Sequence, residues 1–209
     1  MRVLIITACL MASTGFAAAD SGFVIGASLN AFEPAEHGAY GGKMRAHVDH
    51  LGGQLYPHHG MMDFATYVGF RPTSKIEFQA RYRQWNEGFV ADFGPAAPLN
   101  FSYLRNIQSC AGLARLLLGE GPMRFHVGGG PAIYQVDSIT RGWVGDSTVQ
   151  HTTTGAVLDI ALALRFDDFG EFEFGGTREF FALPHSDRFV ADGGTAGGHQ
   201  FYAGLTLYL

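Results

Sequence analysis

Five histidines (His37, His47, His50, His58 and His59) crowd one polar stretch between residues 33 and 60. Within it, "KMRAHVDHL" is bracketed by Gly41-Gly42 and Gly52-Gly53 and reads as a short helix. That helix places His47 and His50 on one face, with Asp49 adjacent, and imidazole plus carboxylate is a donor set for zinc or copper. No fixed-spacing metal motif accompanies them. Met44, Val48 and Leu51 also give the segment an apolar stripe that would rest on a neighbouring surface and leave the histidines solvated. No metal and no cofactor is therefore assigned, and His47, Asp49 and His50 stand only as loop candidates. Near the other end, "PHSD" offers His185, Ser186 and Asp187, the residue types of nucleophilic acyl chemistry. Three consecutive residues on an extended segment do not converge on one point, so no catalytic residue is assigned.

A second group is more orderly. Asp63, Glu77, Asp159, Glu171, Glu173 and Glu179 balance Arg81, Arg83, Arg115, Arg124 and Arg165, with His126 beside Arg124. All fall on the same parity as small residues, opposite a run of apolar ones. Charges of both signs packed among glycine and alanine suit a crowded, ion-paired interior, because a solvated face is more often rich in lysine. Lysine occurs only at Lys43 and Lys75. His126 is expected to join an internal hydrogen-bond network, since buried polar groups need partners.

The elements that carry these groups repeat with period two, the signature of strands. "GFVIGASLNAF" sets Phe23, Ile25, Ala27, Leu29 and Ala31 against Val24, Gly26, Ser28 and Asn30. "MMDFATYVGF" sets Phe64, Val68 and Phe70 against Asp63 and Tyr67. "IEFQARYRQW", "MRFHVGGGPAIY", "GAVLDIALALRF" and "EFEFGGTREF" alternate likewise, and "FYAGLTLYL" carries the pattern to Leu209. In "IQSCAGLARLLL" either parity is apolar, and keeping Arg115 inside turns Cys110, Leu116 and Leu118 out. Arg178 falls on the phenylalanine face, which calls for a bulge at Gly175-Gly176 or a side chain that reaches for the interface. Eight segments of about ten residues result, the length of a membrane-spanning strand.

Connections alternate in length. "RPTSK", "GEGP" and "DDFG" are tight turns, whereas residues 33–60, 86–100, 137–152 and 183–198 read as four long loops. Every tight turn then falls at one end of the sheet, as in outer-membrane barrels. The first nineteen residues, "MRVLIITACLMASTGFAAA", read as a secretory signal with Arg2, an apolar core and a small-residue cleavage site, leaving 20–209 as one barrel domain. Removal of Cys9 with that signal leaves Cys110 without a disulfide partner. The net charge of −5 with no basic cluster excludes nucleic acid as a partner.

A soluble barrel in the manner of a lipocalin also alternates, but turns its apolar face inward around a ligand. Small residues and paired charges on the polar face, with aromatics at both strand ends (Phe70, Phe125, Phe166 and Phe172; Phe32, Tyr82, Phe180 and Phe201), favour lipid outside. The expected fold is all-β: an eight-stranded antiparallel up-and-down transmembrane β-barrel. "FHVGGGPAIY" and "YAGLTLYL" resemble the glycine-rich fifth strand and the C-terminal assembly signature of the small eight-stranded outer-membrane barrels, the OmpA- and OmpX-type and opacity-like porin superfamily. Leu209 stands where that family usually has phenylalanine. The resemblance implies location in the outer membrane and contact with its lipids and lipopolysaccharide. It also implies recognition by the barrel-insertion machinery through the C-terminal strand, and a monomer. A non-enzymatic protein displaying four extracellular loops for surface interaction or envelope integrity is expected, with no ligand identified. The alternatives are a lipid A-modifying enzyme, although the histidine-x-serine pattern of the lipid A deacylases is missing, and the soluble carrier.

Overall fold

Alternation closes into a ring. The computed structural model describes residues 22–34, 48–59, 63–94, 100–142, 146–182 and 195–209. The expected signal segment, His37, His47 and the His185, Ser186 and Asp187 group lie outside them. The described strands, in chain order, are β1 (Gly22–Pro34), β2 (Gln54–His59), β3 (Asp63–Thr73), β4 (Ile76–Asp92), β5 (Phe101–Leu118), β6 (Met123–Gly142), β7 (Ser147–Asp167), β8 (Gly170–Ala182) and β9 (Thr195–Tyr208). Eight of them, all but β2, form an antiparallel ring that β1–β9 and β4–β5 pairing seals. Closure leaves the ring no open edge, so every spanning backbone group is satisfied within the wall. The final strand thus has a partner: Leu207 lies opposite Ile25 and Leu205 opposite Ala27.

The tight turns close where they were expected, at Ser74-Lys75, 119–122 and Asp168-Phe169. In "GEGP" Gly119 and Gly121 hold φ of 103° and 88°, a region that side chains with a Cβ rarely enter. On β6, Gly130 has no room for a side chain, because a Cβ there would stand 1.9 Å from the Gly112 carbonyl oxygen. The glycine run therefore lets β5 and β6 approach at that point.

In two of the stretches read as loops, most of the described residues are strand. β4 and β5 continue through residues 86–92 and 101–106, and β6 and β7 through 137–142 and 147–152. The strands of 17, 18, 20 and 21 residues exceed what a bilayer requires. Part of 33–60 is also strand, because β2 pairs along the upper part of β4 from Gln54↔Asp92 to His59↔Glu87. The reason lies in a change of polarity along each strand. Outward positions are apolar low on the wall (Phe78, Tyr82, Leu116, Ile133) and polar higher up (Gln84, Asn86, Gln108, Gln135). Inward positions change in the opposite sense, from arginine and glutamate to Trp85, Phe89, Tyr103, Ile107, Tyr134 and Val136, all buried. Above the eight-stranded ring, β2 and the upper parts of β4 to β7 form an open sheet with an apolar inner face, stacked on a membrane barrel with an ionic centre.

The loop helix is present in its described part. Val48 to His50 are helical, the amides of Gly52 and Gly53 bond back to Asp49 and Val48 at 3.0 and 2.9 Å, and Gly52 takes φ 76°. That is a glycine-terminated helix end. Val48 is buried against Phe89, Ala91, Phe101 and Tyr103, which fastens the loop to the upper core. Leu51 remains exposed.

Candidate functional site: the charged lumen

The ring places the ionisable residues. Strand pleating sends odd positions of β3, β4, β5, β7 and β8, and even positions of β6, into the lumen. Burying so many charges is tolerable only if each finds opposite charge and hydrogen bonds.

Arg115 of β5 stands at the centre and is 1% exposed. It reaches Glu77 at 3.2 Å, Asp159 at 3.0 Å and Glu173 at 2.6 Å, so one guanidinium ties β4, β7 and β8 across the lumen. Arg81 adds a second bond to Asp159 at 3.0 Å. Arg83 bonds Asp63 and reaches Glu179 at 3.0 Å, and its guanidinium carbon lies 4.2 Å above the Trp85 ring. That stacking joins the ionic layer to the apolar layer above it. Arg124 is buried on β6. His126 is fully buried, its Nδ1 3.7 Å from Glu173 and its Nε2 3.9 Å from Glu171. Arg165 differs from the others. It stands at the short-turn rim, half-buried, and pairs with the exposed Asp168 at 2.7 Å.

Sequence reasoning missed several members. Arg71 reads as part of the "RPTSK" turn, yet it is buried near the end of β3, bonded to Glu171 and, at 2.5 Å, to Glu77. Arg105 and Glu87 fell outside the eight expected segments; they pair at 3.3 Å inside the upper barrel, and Arg105 also donates to the Tyr103 hydroxyl at 2.8 Å. Neutral hydroxyls complete the shell. Tyr67 and Thr206 donate to Glu173 at 3.1 and 2.5 Å, Tyr202 to Asp159 at 3.2 Å, and Tyr208 to Glu171 at 2.7 Å. Their inward parity was the available signal.

Among the described residues, His126, Glu171 and Glu173 also bring one ligand atom each within 4.8 Å of one another. Arg71 and Arg115 already hold those two carboxylates, so the site has its cations built in. Asp49 and His50 are exposed on the loop turn, away from this cluster.

The outer wall completes the geometry. Phe64, Phe78, Phe125, Leu158, Ile160, Phe172, Phe174 and Leu205 are exposed around the ring. Such a surface is stable only against hydrocarbon, which removes the soluble ligand carrier as a reading of this chain. Arg178 faces outward with them. Pairing runs without a shift through Gly175 and Gly176, so no bulge turns it. Its guanidinium carbon lies 4.9 Å from the centre of the Phe180 ring.

No protein-family model matches the chain, and no curated protein is a detectable relative in sequence. Solved structures do match. Neisserial surface protein A superposes with a TM-score of 0.54 at 12% identity, over 90% of this chain and 98% of that one. The outer membrane protein OprG from Pseudomonas aeruginosa superposes with a TM-score of 0.54 at 7% identity, over 90% of this chain and 95% of that one. What likeness at this identity carries is the architecture, and the architecture is that of the small eight-stranded outer-membrane β-barrels.

Proposed function

We propose that the chain is a non-enzymatic outer-membrane barrel whose working surface is its long-loop end. Four extracellular loops there serve adhesion, binding or envelope integrity. The observation that best supports this is the division of the wall. An ionic plug closes the membrane zone, and β4 to β7 rise beyond the apolar band as a rigid stalk that carries the loops.

A plug of this kind disfavours diffusion. Arg115, Arg81 and Arg83 span the lumen with their carboxylates, and eight strands leave space only for side chains. Lipids and lipopolysaccharide surround the wall, the terminal strand addresses the insertion machinery, and the ring closes within one chain, consistent with a monomer. The signal segment 1–19 is removed, leaving Asp20 as the first residue. Asp49 and His50, the loop candidates among the described residues, belong to the solvated surface of the first loop in this reading.

Expression in a host with a defined envelope tests it. Lipid A mass is expected to stay unchanged, and planar bilayers with the purified protein are expected to show flat conductance. A mass shift abolished by Ser186→Ala would replace this reading with an enzyme, and stable unitary conductance would replace it with a pore.

A further inference from the structure

One feature of the lipid-facing wall is not accounted for by a simple apolar girdle. Two cross-strand rows on β7, β8 and β9 run side by side there. The lower row is Ile160–Gly176–Phe201 and the upper row is Leu158–Arg178–His199. Gly176 leaves its position empty between two exposed apolar neighbours. The result is a depression of about 410 Å³ in the outer wall, with apolar floor and sides and with Arg178 and His199 along one edge.

Height places this depression. Arg178 is eight positions above Gly170 at the short turn. At about 3.3 Å per residue and a strand tilt near 40°, that is roughly 20 Å up an apolar band about 25 Å tall. The edge that carries the two side chains therefore lies about 5 Å below the top of the band on the long-loop side, from where a long arginine side chain reaches the outer-leaflet headgroups. Residues directly opposite on neighbouring strands bring their Cβ atoms to about 5 Å, close enough for one tetrahedral anion to bond both.

The chemistry is unusual for a wall. A guanidinium facing lipid is unfavourable unless it meets an anion, and among the described residues Arg178 contacts the Phe180 ring and forms no ion pair. His199 offers a ring N–H in either tautomer. Glu33 on β1 holds the next register position beyond His199 and is one strand further from Arg178.

We propose that this depression is a seat for one outer-leaflet lipid A molecule: Arg178 and His199 bind its phosphate, and an acyl chain lies in the cleft over Gly176. The inference rests on the outer-membrane orientation proposed above. Arginine gives a planar, bidentate fit to phosphate, and the apolar floor matches the chain that hangs below such a headgroup. A phosphorylated lipid suits both halves of the site, whereas a soluble anion would satisfy only the edge.

Native mass spectrometry of the delipidated barrel in micelles, titrated with purified lipid A, tests this. The wild type is expected to retain one lipid A, and Arg178→Gln with His199→Gln to cut the bound fraction about ten-fold. Arg178→Lys should stay within about three-fold of wild type, and Glu33→Gln should bind at least as well as wild type. Gly176→Val keeps both cations but fills the floor, and should also lose the lipid. Heat-modifiable gel mobility, read on every variant, reports folding separately, and membrane fractionation of the wild type reports the orientation on which the site depends. Equal retention by the double variant, equal binding of dephosphorylated lipid A, or equally tight binding of phosphatidylglycerol would overturn the assignment.

Discussion

At the scale of single residues, exposure divides the charges into two classes with different consequences. Arg115 has three carboxylate partners and no access to water, so Arg115→Met strands buried anions and should cost about 3–5 kcal/mol. Arg165 pairs with an exposed aspartate at the rim, and Arg165→Ala should cost about 1 kcal/mol or less. Urea unfolding in micelles separates the two, and similar losses would contradict the central placement of Arg115. Arg105 supplies a pH test. In Arg105→Met, Glu87 is left buried without its cation, and a stranded carboxylate escapes by taking up a proton. The destabilisation should therefore be large at pH 7.5 and smaller at pH 5.5; a loss independent of pH would show that Glu87 finds another partner. The sequence displayed the charges that lie within clean alternation, such as Glu77, Arg83, Asp159 and Glu173. It concealed Arg71, because a proline next to it reads as the start of a turn. It showed the side of Tyr67, Tyr202 and Thr206 by parity but not their role, because a hydroxyl carries no charge that calls for a partner.

At the scale of elements, period two is legible wherever one face keeps one polarity. That condition holds in β1, β3, β8, β9 and the lower parts of the rest, and there the facing of Phe78, Leu116 and Leu205 could be read directly. It fails where polarity inverts. In "WNEGFVADF" and "FSYLRNIQS" the aromatic side chains pass to the inside just as glutamine and asparagine pass to the outside. The inversion reads as a loop, although the backbone alternation never stops. β2 is harder still, since Pro57 and two histidines give no strand signal and its pairing with β4 is non-local. The inversion itself predicts a boundary. Leu162→Arg, outward within the band, should cost about 2–4 kcal/mol, and Gln108→Arg, outward above it, about 0–1 kcal/mol. Unfolding from vesicles measures both, and equal costs would mean that the band is misplaced. Within the stalk, Phe89→Ala removes an aromatic ring packed between Phe101, Tyr103 and Val48. It should speed hydrogen exchange along the upper parts of β4 and β5 while leaving the membrane zone protected. Uniform loss of protection would show instead that the two layers unfold as one.

At the scale of the whole molecule, the described chain is an eight-stranded membrane barrel from which β4 to β7 rise, flanked by β2, as a sheet of opposite polarity. Hydrocarbon stabilises the outer face of the barrel, and water that of the sheet. Arg83 stacked on Trp85 marks the level at which the interiors exchange. This arrangement raises the described upper strands beyond the apolar band, while ion pairs among side chains fill the lumen of the membrane zone. It also explains why the apolar residues of the chain could not all be assigned to one side. The claim beneath everything else is that the aromatic and aliphatic side chains of the lower wall touch lipid. Single cysteines at Phe78, Leu162 and Leu205, and above the band at Asn86 and Gln108, placed in a Cys110→Ala background and labelled with a fluorophore, test it in vesicles containing brominated acyl chains. Strong quenching at the first three positions and little at the last two is predicted. No quenching at Phe78, Leu162 and Leu205 would contradict it.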